Sequence, residues 1–382
     1  MSWSPDGTLL QQVVHMLSCS LTPDTAVQRQ AYDALAQYAR NGEFVRYLAY
    51  VFARGSTLPS GVRAAAGLAL KNTVSSHFSA LPADVCASVQ DELLATLGDA
   101  DSSVRSTGAN AISSIVLRVK LMAWPALVTR LVELLDGGAG SPAGAAGALA
   151  ALLNLSEDVG SQFESAALGH PLTALFPRLL AGMRAPDASY RVSCARVMNN
   201  FVAAQPASLA MHLDDFLSAL SALTSDGSPG MRCIVSQSLV SLTQLYAERV
   251  WPHLPAIQAF QLSCLSDFAE EDVALAACEF WATLAEKMLD NVNAAGYRGD
   301  REGEAAARAA IPPPTLAQLV RLLCTRMAYS DEELSDMSPE DLSNEPSADR
   351  AADVRPHIAR TKESAAAGSG GVADVGEDEE GE

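Results

Sequence analysis

The chain has 382 residues, 26 Lys+Arg against 45 Asp+Glu, a formal net charge of −19 at pH 7, and 49% hydrophobic but only 6% aromatic residues. A surface this acidic lacks the basic patch that phosphate contacts require, so nucleic acid is not an expected partner. Aliphatic residues dominate, no strand-like alternation is bounded by Asn-Gly or Asp-Gly turns, and no run of 18 apolar residues occurs; an all-α fold without membrane insertion is predicted.

Met1–Cys19 has neither the basic start nor the small-residue cleavage pattern of a secretory signal. The seven cysteines (19, 86, 194, 233, 264, 278, 324) are odd in number, form no CxxC, and stand at least 14 residues apart. Reduced thiols of the cytoplasm or nucleus are expected, which leaves the Asn154-Leu155-Ser156 sequon idle.

Further along, Val62-Arg63 opens an apolar-periodic helix and returns as Val104-Arg105, Tyr190-Arg191, Met231-Arg232 and Val273-Ala274, at steps of 42, 86, 41 and 42 residues. The step of 86 is a doubled interval, and the absent member falls near position 147, inside the small-residue and leucine stretch Ser141–Leu155 that still reads as a helix. A period near 42 is too long for ankyrin or tetratricopeptide repeats and fits HEAT or armadillo units, helix pairs that bury their apolar faces only by stacking. Residues 1–330 then hold about eight such units.

Each recurring arginine sits in a first helical turn, where the macrodipole disfavours a cation. The HEAT arrangement supplies a reason: an aspartate of the intra-repeat turn, here Asp99 or Asp101, Asp187, Asp226 and Asp272, caps its own helix and pairs with an arginine of a neighbouring repeat. Arg63, Arg105, Arg191 and Arg232 are read as that ladder. Armadillo units use an inner-helix asparagine instead; Asn154 and Asn199 are candidates but do not recur, which favours HEAT.

From Lys287 to Pro314, Gly296, Gly299, Gly303 and three prolines predict a loose connection. Thr315–Tyr329 then places Leu316, Leu319, Val320, Leu323 and Met327 on one helical face, with no following helix to pair with it. The eighth repeat reads as half built, an expected source of fraying or self-association, and the chain as a fragment of a longer protein. Residues 331–382 carry 16 acidic and 4 basic side chains; they predict a disordered acidic tail, either a solvated segment or an arm for a basic partner.

Chemistry-bearing constellations are scarce. The run Gly137-Gly138-Ala139-Gly140 lacks the lysine and hydroxyl residue of a phosphate loop, and the six histidines (15, 77, 170, 212, 253, 357) show no metal-ligand spacing. Acidic pairs such as Asp214-Asp215 and the Glu270-Glu271-Asp272 run stand at helix starts, which favours the dipole. No nucleophile with a nearby base is visible, so neither enzyme activity nor a cofactor or metal is expected.

Several strings carry a family resemblance. Pro23-Asp24-Thr25 with Gln28-Arg29, Leu70-Lys71-Asn72-Thr73-Val74 before His77-Phe78, Trp124-Pro125, the decapeptide ACEFWATLAE at 277–286, Met327-Ala328-Tyr329-Ser330-Asp331 and Asp353-Val354-Arg355-Pro356 resemble, in this order, the transportin type of the karyopherin-β (importin-β) family. The resemblance implies a right-handed HEAT superhelix with first helices outside and second helices inside. It also implies amino-terminal repeats, about 23–98 here, that bind the small GTPase Ran in its GTP form, and an acidic loop that couples Ran binding to release of nuclear-localisation-signal cargo.

On this reading Lys71 and Asn72 of the second repeat and Glu279 and Trp281 of the seventh face Ran, Trp281 having the core as its alternative place. The acidic loop comprises Asp331, Glu332, Glu333, Asp336, Glu340, Asp341, Glu377, Asp378, Glu379 and Glu380. The implied protein is a monomeric receptor shuttling between cytoplasm and nucleus, meeting cargo and nucleoporins through the family's full-length form. A HEAT scaffold that binds helices or peptides independently of Ran is the alternative.

Overall fold

The computed structural model describes residues 3–137 and 141–328, and among these every regular element is helical. Helix pairs follow one another: α1 (Gly7–Cys19) with α2 (Thr25–Tyr38), α3 (Gly42–Arg54) with α4 (Ser60–His77), α5 (Ala83–Thr96) with α6 (Ser102–Val119), and α7 (Pro125–Asp136) with α8 (Pro142–Val159). Then come α9 (Pro171–Gly182) with α10 (Ala188–Ala204), and α11 (Ala207–Leu223) with α12 (Pro229–Leu245). A single turn, α13 (Ala247–Val250), precedes α14 (Leu254–Leu265) with α15 (Glu271–Arg298), followed by α16 (Arg301–Arg308) and α17 (Pro313–Met327). The described residues up to Arg326 form one compact unit. Tyr329 and the whole acidic series from Asp331 to Glu380 lie outside the described residues.

Local sequence sets the helix starts. Asp6, Asp24, Asn41, Asp101 and Asp187 each turn a side-chain oxygen onto first-turn N–H groups, as Asp187 does to that of Tyr190 at 2.7 Å. Pro125, Pro142, Pro171 and Pro229 open α7, α8, α9 and α12, where the missing N–H has no helical acceptor to lose.

The second helices stack in one row, α4, α6, α8, α10, α12 and α15, and first helices pair alongside, α3 with α5 and α9 with both α7 and α11. Between the rows runs one continuous apolar core, from Leu17, Leu48 and Phe52 through Phe163, Phe176 and Phe201 to Phe280. This is the all-α HEAT-type solenoid that the 42-residue period implies. Small residues let the row close up: a Cβ on Gly147 of α8 would stand 2.0 Å from the carbonyl oxygen of Leu97.

The loose connection expected over 287–314 is not what forms. Helix α15 continues unbroken to Arg298, Gly299 ends it at φ +70°, and Asp300 accepts the Gly303 N–H at 2.9 Å to start α16. Ala295 and Ala307 are buried as the two helices fold into a hairpin. Alanine, glutamate and arginine around the glycines are strong helix formers, and one internal glycine costs only about 1 kcal/mol.

Candidate functional site

The arginine ladder forms with a different membership from the one expected. Arg63, buried in the first turn of α4, donates to the carbonyls of Phe52 (2.6 Å) and Ala53 (3.0 Å) at the end of α3, and pairs with Asp99 in the next turn. The negative end of one helix thus offsets the dipole at the start of the other. Arg191 repeats the motif, donating to Ala185 and Pro186 carbonyls at 2.9 and 2.7 Å and pairing with Asp226.

Arg232 pairs with Asp267, not Asp272. Asp272 belongs to the first turn of α15, whereas the turn before it places Asp267 within reach. Among the described residues Arg105 finds only carbonyl oxygens, those of Asp99 and Ala100 at 2.7 and 2.9 Å. Asp101 and Asp187 cap their helices and, among the described residues, join no arginine pair. Arg326, which sequence spacing does not single out, closes the row by donating to the Leu265 carbonyl at 2.7 Å and to that of Asp267.

The ladder carboxylates are held ionised. Burial pushes Asp99 up, but the Arg63 guanidinium and the Asp101 N–H outweigh it, and its pKa lies below the usual value. The Ser228 N–H and then Arg191 lower Asp226. Arg232 and then the Ala269 N–H lower Asp267.

Of the expected contact residues, Lys71 is half-buried and Asn72 exposed on α4, and Glu279 is exposed on α15. Four stacked helices separate the first pair from Glu279. Trp281 is a correction: it is only 5% exposed and stands edge-on to Phe280 at 5.7 Å, a core side chain and not a surface one. Lys71 instead shares a polar cavity of about 190 Å³ with Asn110 and Ser113 of α6 and Asn154, Glu157 and Asp158 of α8.

Neutral side chains knit this part of the row. Asn154 donates to Asn110 Oδ1 at 2.8 Å, Ser113 to Asp158, and Asn200 of α10 to Ser156 Oγ at 3.0 Å and Glu157 at 3.3 Å. Asn154 therefore does bridge second helices, with Asn110 and Asn200 as members that a search for strict recurrence misses. Their separations of 44 and 46 residues follow the repeat only approximately, which is why spacing hides them. The arrangement offers charged and amide groups on a wide face, with no group of three or more metal-ligating side chains among the described residues. It suits recognition of another macromolecule.

Residues 31–99 match the family model of the importin-beta N-terminal domain. Transportin-1 of Mus musculus is 29% identical over 360 residues, covering 94% of this chain and 38% of the mouse protein. The transportin of Dictyostelium discoideum is 29% identical over 374 residues, with 98% and 38% covered. The chain is thus similar to importin-β-type transport receptors, through one matched domain and through continuous likeness to transportins. It spans 38% of the length of each of these relatives. Among solved structures, Kap95p, described as driving the switch loops of RanGDP to the GTP-bound conformation, superposes with a TM-score of 0.61 at 16% identity, covering 75% of this chain and 35% of Kap95p. That likeness shows the importin-type helical fold.

Proposed function

We propose that this chain is the Ran-binding arm of a transportin-type nuclear import receptor and works by binding, without catalysis. The observation that carries the reading is the continuous similarity to transportins over more than nine tenths of the chain, with the importin-beta amino-terminal domain on the helices that present Lys71 and Asn72. The second-helix row supplies a face with Lys71 near one end and Glu279 near the other, suited to a partner with acidic and basic patches. Complementary charge of this kind speeds encounter more than it adds affinity. The acidic residues 331–382 extend the negative charge on the Glu279 side of the sequence and couple Ran binding to cargo release. Cargo and nucleoporins are met by the whole receptor as it shuttles between cytoplasm and nucleus.

The test is calorimetric titration with Ran loaded with a non-hydrolysable GTP analogue or with GDP, at two salt concentrations. The GTP form is expected to bind at least tenfold more tightly, and both forms more weakly at high salt. Equal affinity for the two forms, or no binding, overturns the reading and leaves a HEAT scaffold for other partners.

A further inference from the structure

From α4 to α12, each second helix leaves the row through one residue of irregular backbone. At the exits of α4, α8 and α12 that residue keeps a negative φ: His77 at −127°, Val159 at −142° and Tyr246 at −134°. Gln205, after α10, takes the left-handed helical conformation, φ +48° and ψ +47°. Lys120, after α6, is different again. Its φ of +70° with ψ of +154° lies in a region that essentially glycine alone occupies, because a Cβ there crowds the flanking peptide groups. The Lys120 side chain does not account for this, being exposed and forming no ion pair among the described residues.

The peptide groups on either side hold the residue in place. The Lys120 N–H donates to the Val116 carbonyl at 2.8 Å, and the Lys120 carbonyl accepts from the Ala123 N–H at 3.2 Å. A third bond comes from the next repeat: the Leu121 N–H donates to Oε1 of Gln162 at 2.8 Å, and Gln162 stands in the turn Gly160–Glu164 directly after α8. Leu121 and Trp124 are both buried. Without the Gln162 acceptor the Leu121 N–H would be left unpaired away from water, which a buried backbone donor does not tolerate cheaply. Ser113 of α6 donates to Asp158 of α8, four residues before Gln162, so a separation of these two helices is passed directly to the Gln162 bond.

We propose that the junction between α6 and α7 is a sprung joint, latched by the Gln162 side chain of the next repeat and released when α8 moves away from α6. In the latched state the Gln162 bond and the burial of Leu121 offset a backbone conformation that relaxes once they are gone. On release Lys120 returns to a negative φ, the Leu121 N–H takes water as its acceptor, and α7 enters the stack in a new direction. Only residues 120–124 lie between α6 and α7, so slack chain does not absorb the change. The curvature of a solenoid is the sum of small rotations per repeat, so one joint with two settings redirects all the helices before it relative to all those after it. Whatever spreads α6 and α8 works the joint, whether or not Ran is the partner.

The test uses the purified chain as wild type, Lys120→Gly, Lys120→Ala, Gln162→Met, and the Lys120→Gly, Gln162→Met double variant. Glycine ordinarily lowers stability relative to alanine; here Lys120→Gly is expected to melt higher than both Lys120→Ala and wild type, because it alone relieves the backbone. A midpoint for Lys120→Gly at or below that of Lys120→Ala overturns the strain. In Gln162→Met, hydrogen–deuterium exchange over residues 120–124 is expected to run about tenfold faster while that of α4 stays unchanged. Lysines occur only at 71, 120, 287 and 362, so a lysine-specific protease reads the same opening as faster cleavage after Lys120. No local acceleration overturns the latch, and acceleration spread equally through α4 and α6 reduces Gln162 to a general structural contact, which overturns it too. The double variant is expected to return exchange over 120–124 to within about threefold of wild type; acceleration as large as in Gln162→Met alone overturns the role of Lys120 in driving release. X-ray scattering of Gln162→Met is expected to differ from that of wild type and of the double variant, and identical profiles overturn the redirection of α7.

Discussion

Arg63 shows how a side chain that ought to weaken a helix start becomes part of what holds the solenoid. Its guanidinium makes four hydrogen bonds, two to the last carbonyls of α3 and two to Asp99, and it is 7% exposed. Replacing Arg63 by alanine strands a mostly buried carboxylate and two carbonyl oxygens at once. Removal of one partner from such a pair costs about 3–5 kcal/mol, more than replacing both partners together. The expected outcome is a thermal midpoint several degrees lower for Arg63→Ala than for an Arg63→Met, Asp99→Leu double variant. If the single variant is no worse than the double, the pair is not what the residue contributes. This residue, with Asp99, Arg191 and Asp226, was legible in the sequence, since the period placed the arginines and an aspartate stood in the right turn. Asp267 was not, because the period fixes a rung only to within a few residues, and turn geometry chooses among neighbouring acids. Trp281 was ambiguous for a related reason: helical spacing puts it beside the exposed Glu279 but cannot say which side of the helix edge it falls on.

Between elements, the deciding quantity is how closely helices approach, and glycine reports it. In α8, Gly147 faces the Leu97 carbonyl with no room for a methyl group, while in α15 a Cβ on Gly296 would meet nothing within 4 Å. Opposite signs follow for one substitution. Alanine at 296 is expected to stabilise by about 0.5–1 kcal/mol through helix propensity and lost unfolded-state freedom. Alanine at 147 is expected to destabilise, because displacing a backbone oxygen costs about 1–3 kcal/mol, more than the same propensity gain. Paired thermal melts of Gly296→Ala and Gly147→Ala decide the point, and two midpoints shifted in the same direction would contradict this packing. Sequence could not distinguish the two glycines, and the misreading of 287–314 as loose has the same origin: a glycine within alanines and glutamates interrupts a helix only where left-handed backbone is needed, and that is at Gly299 alone in this stretch.

Across the whole molecule, the aspartate rungs act together in acid. Asp99, Asp226 and Asp267 all titrate below their ordinary value because native-state guanidinium and N–H partners favour the ionised form. A group with a depressed folded pKa contributes stability above its unfolded value, about 3.9 for aspartate, and loses it as pH falls through the lower folded value. The thermal midpoint is therefore expected to respond little to these groups between pH 7 and 5 and to drop steeply below about pH 4, less so for Asp226→Asn. An equally steep decline between pH 7 and 5 would point to other groups. The repeat architecture and the likeness to transportins were readable from spacing and motifs at this scale. The Glu157–Asp158 cavity was not, since it joins residues of three helices across two repeat intervals.

The hairpin made by the end of α15 and α16 has a further consequence for how the chain can vary. At its turn a Cβ on Gly299 would meet nothing within 4 Å, and Tyr297 beside it is 95% exposed, while the anchoring contacts lie lower, at Ala295 and Ala307 and where Gln258 donates to the Ala310 carbonyl at 2.8 Å. Length added or removed at this tip leaves the spacing of the repeats on either side unaltered. A reporter group or an extra domain can be spliced there without changing the register of the stack, which makes residues 299–300 the natural point for attaching a label to follow this protein at work.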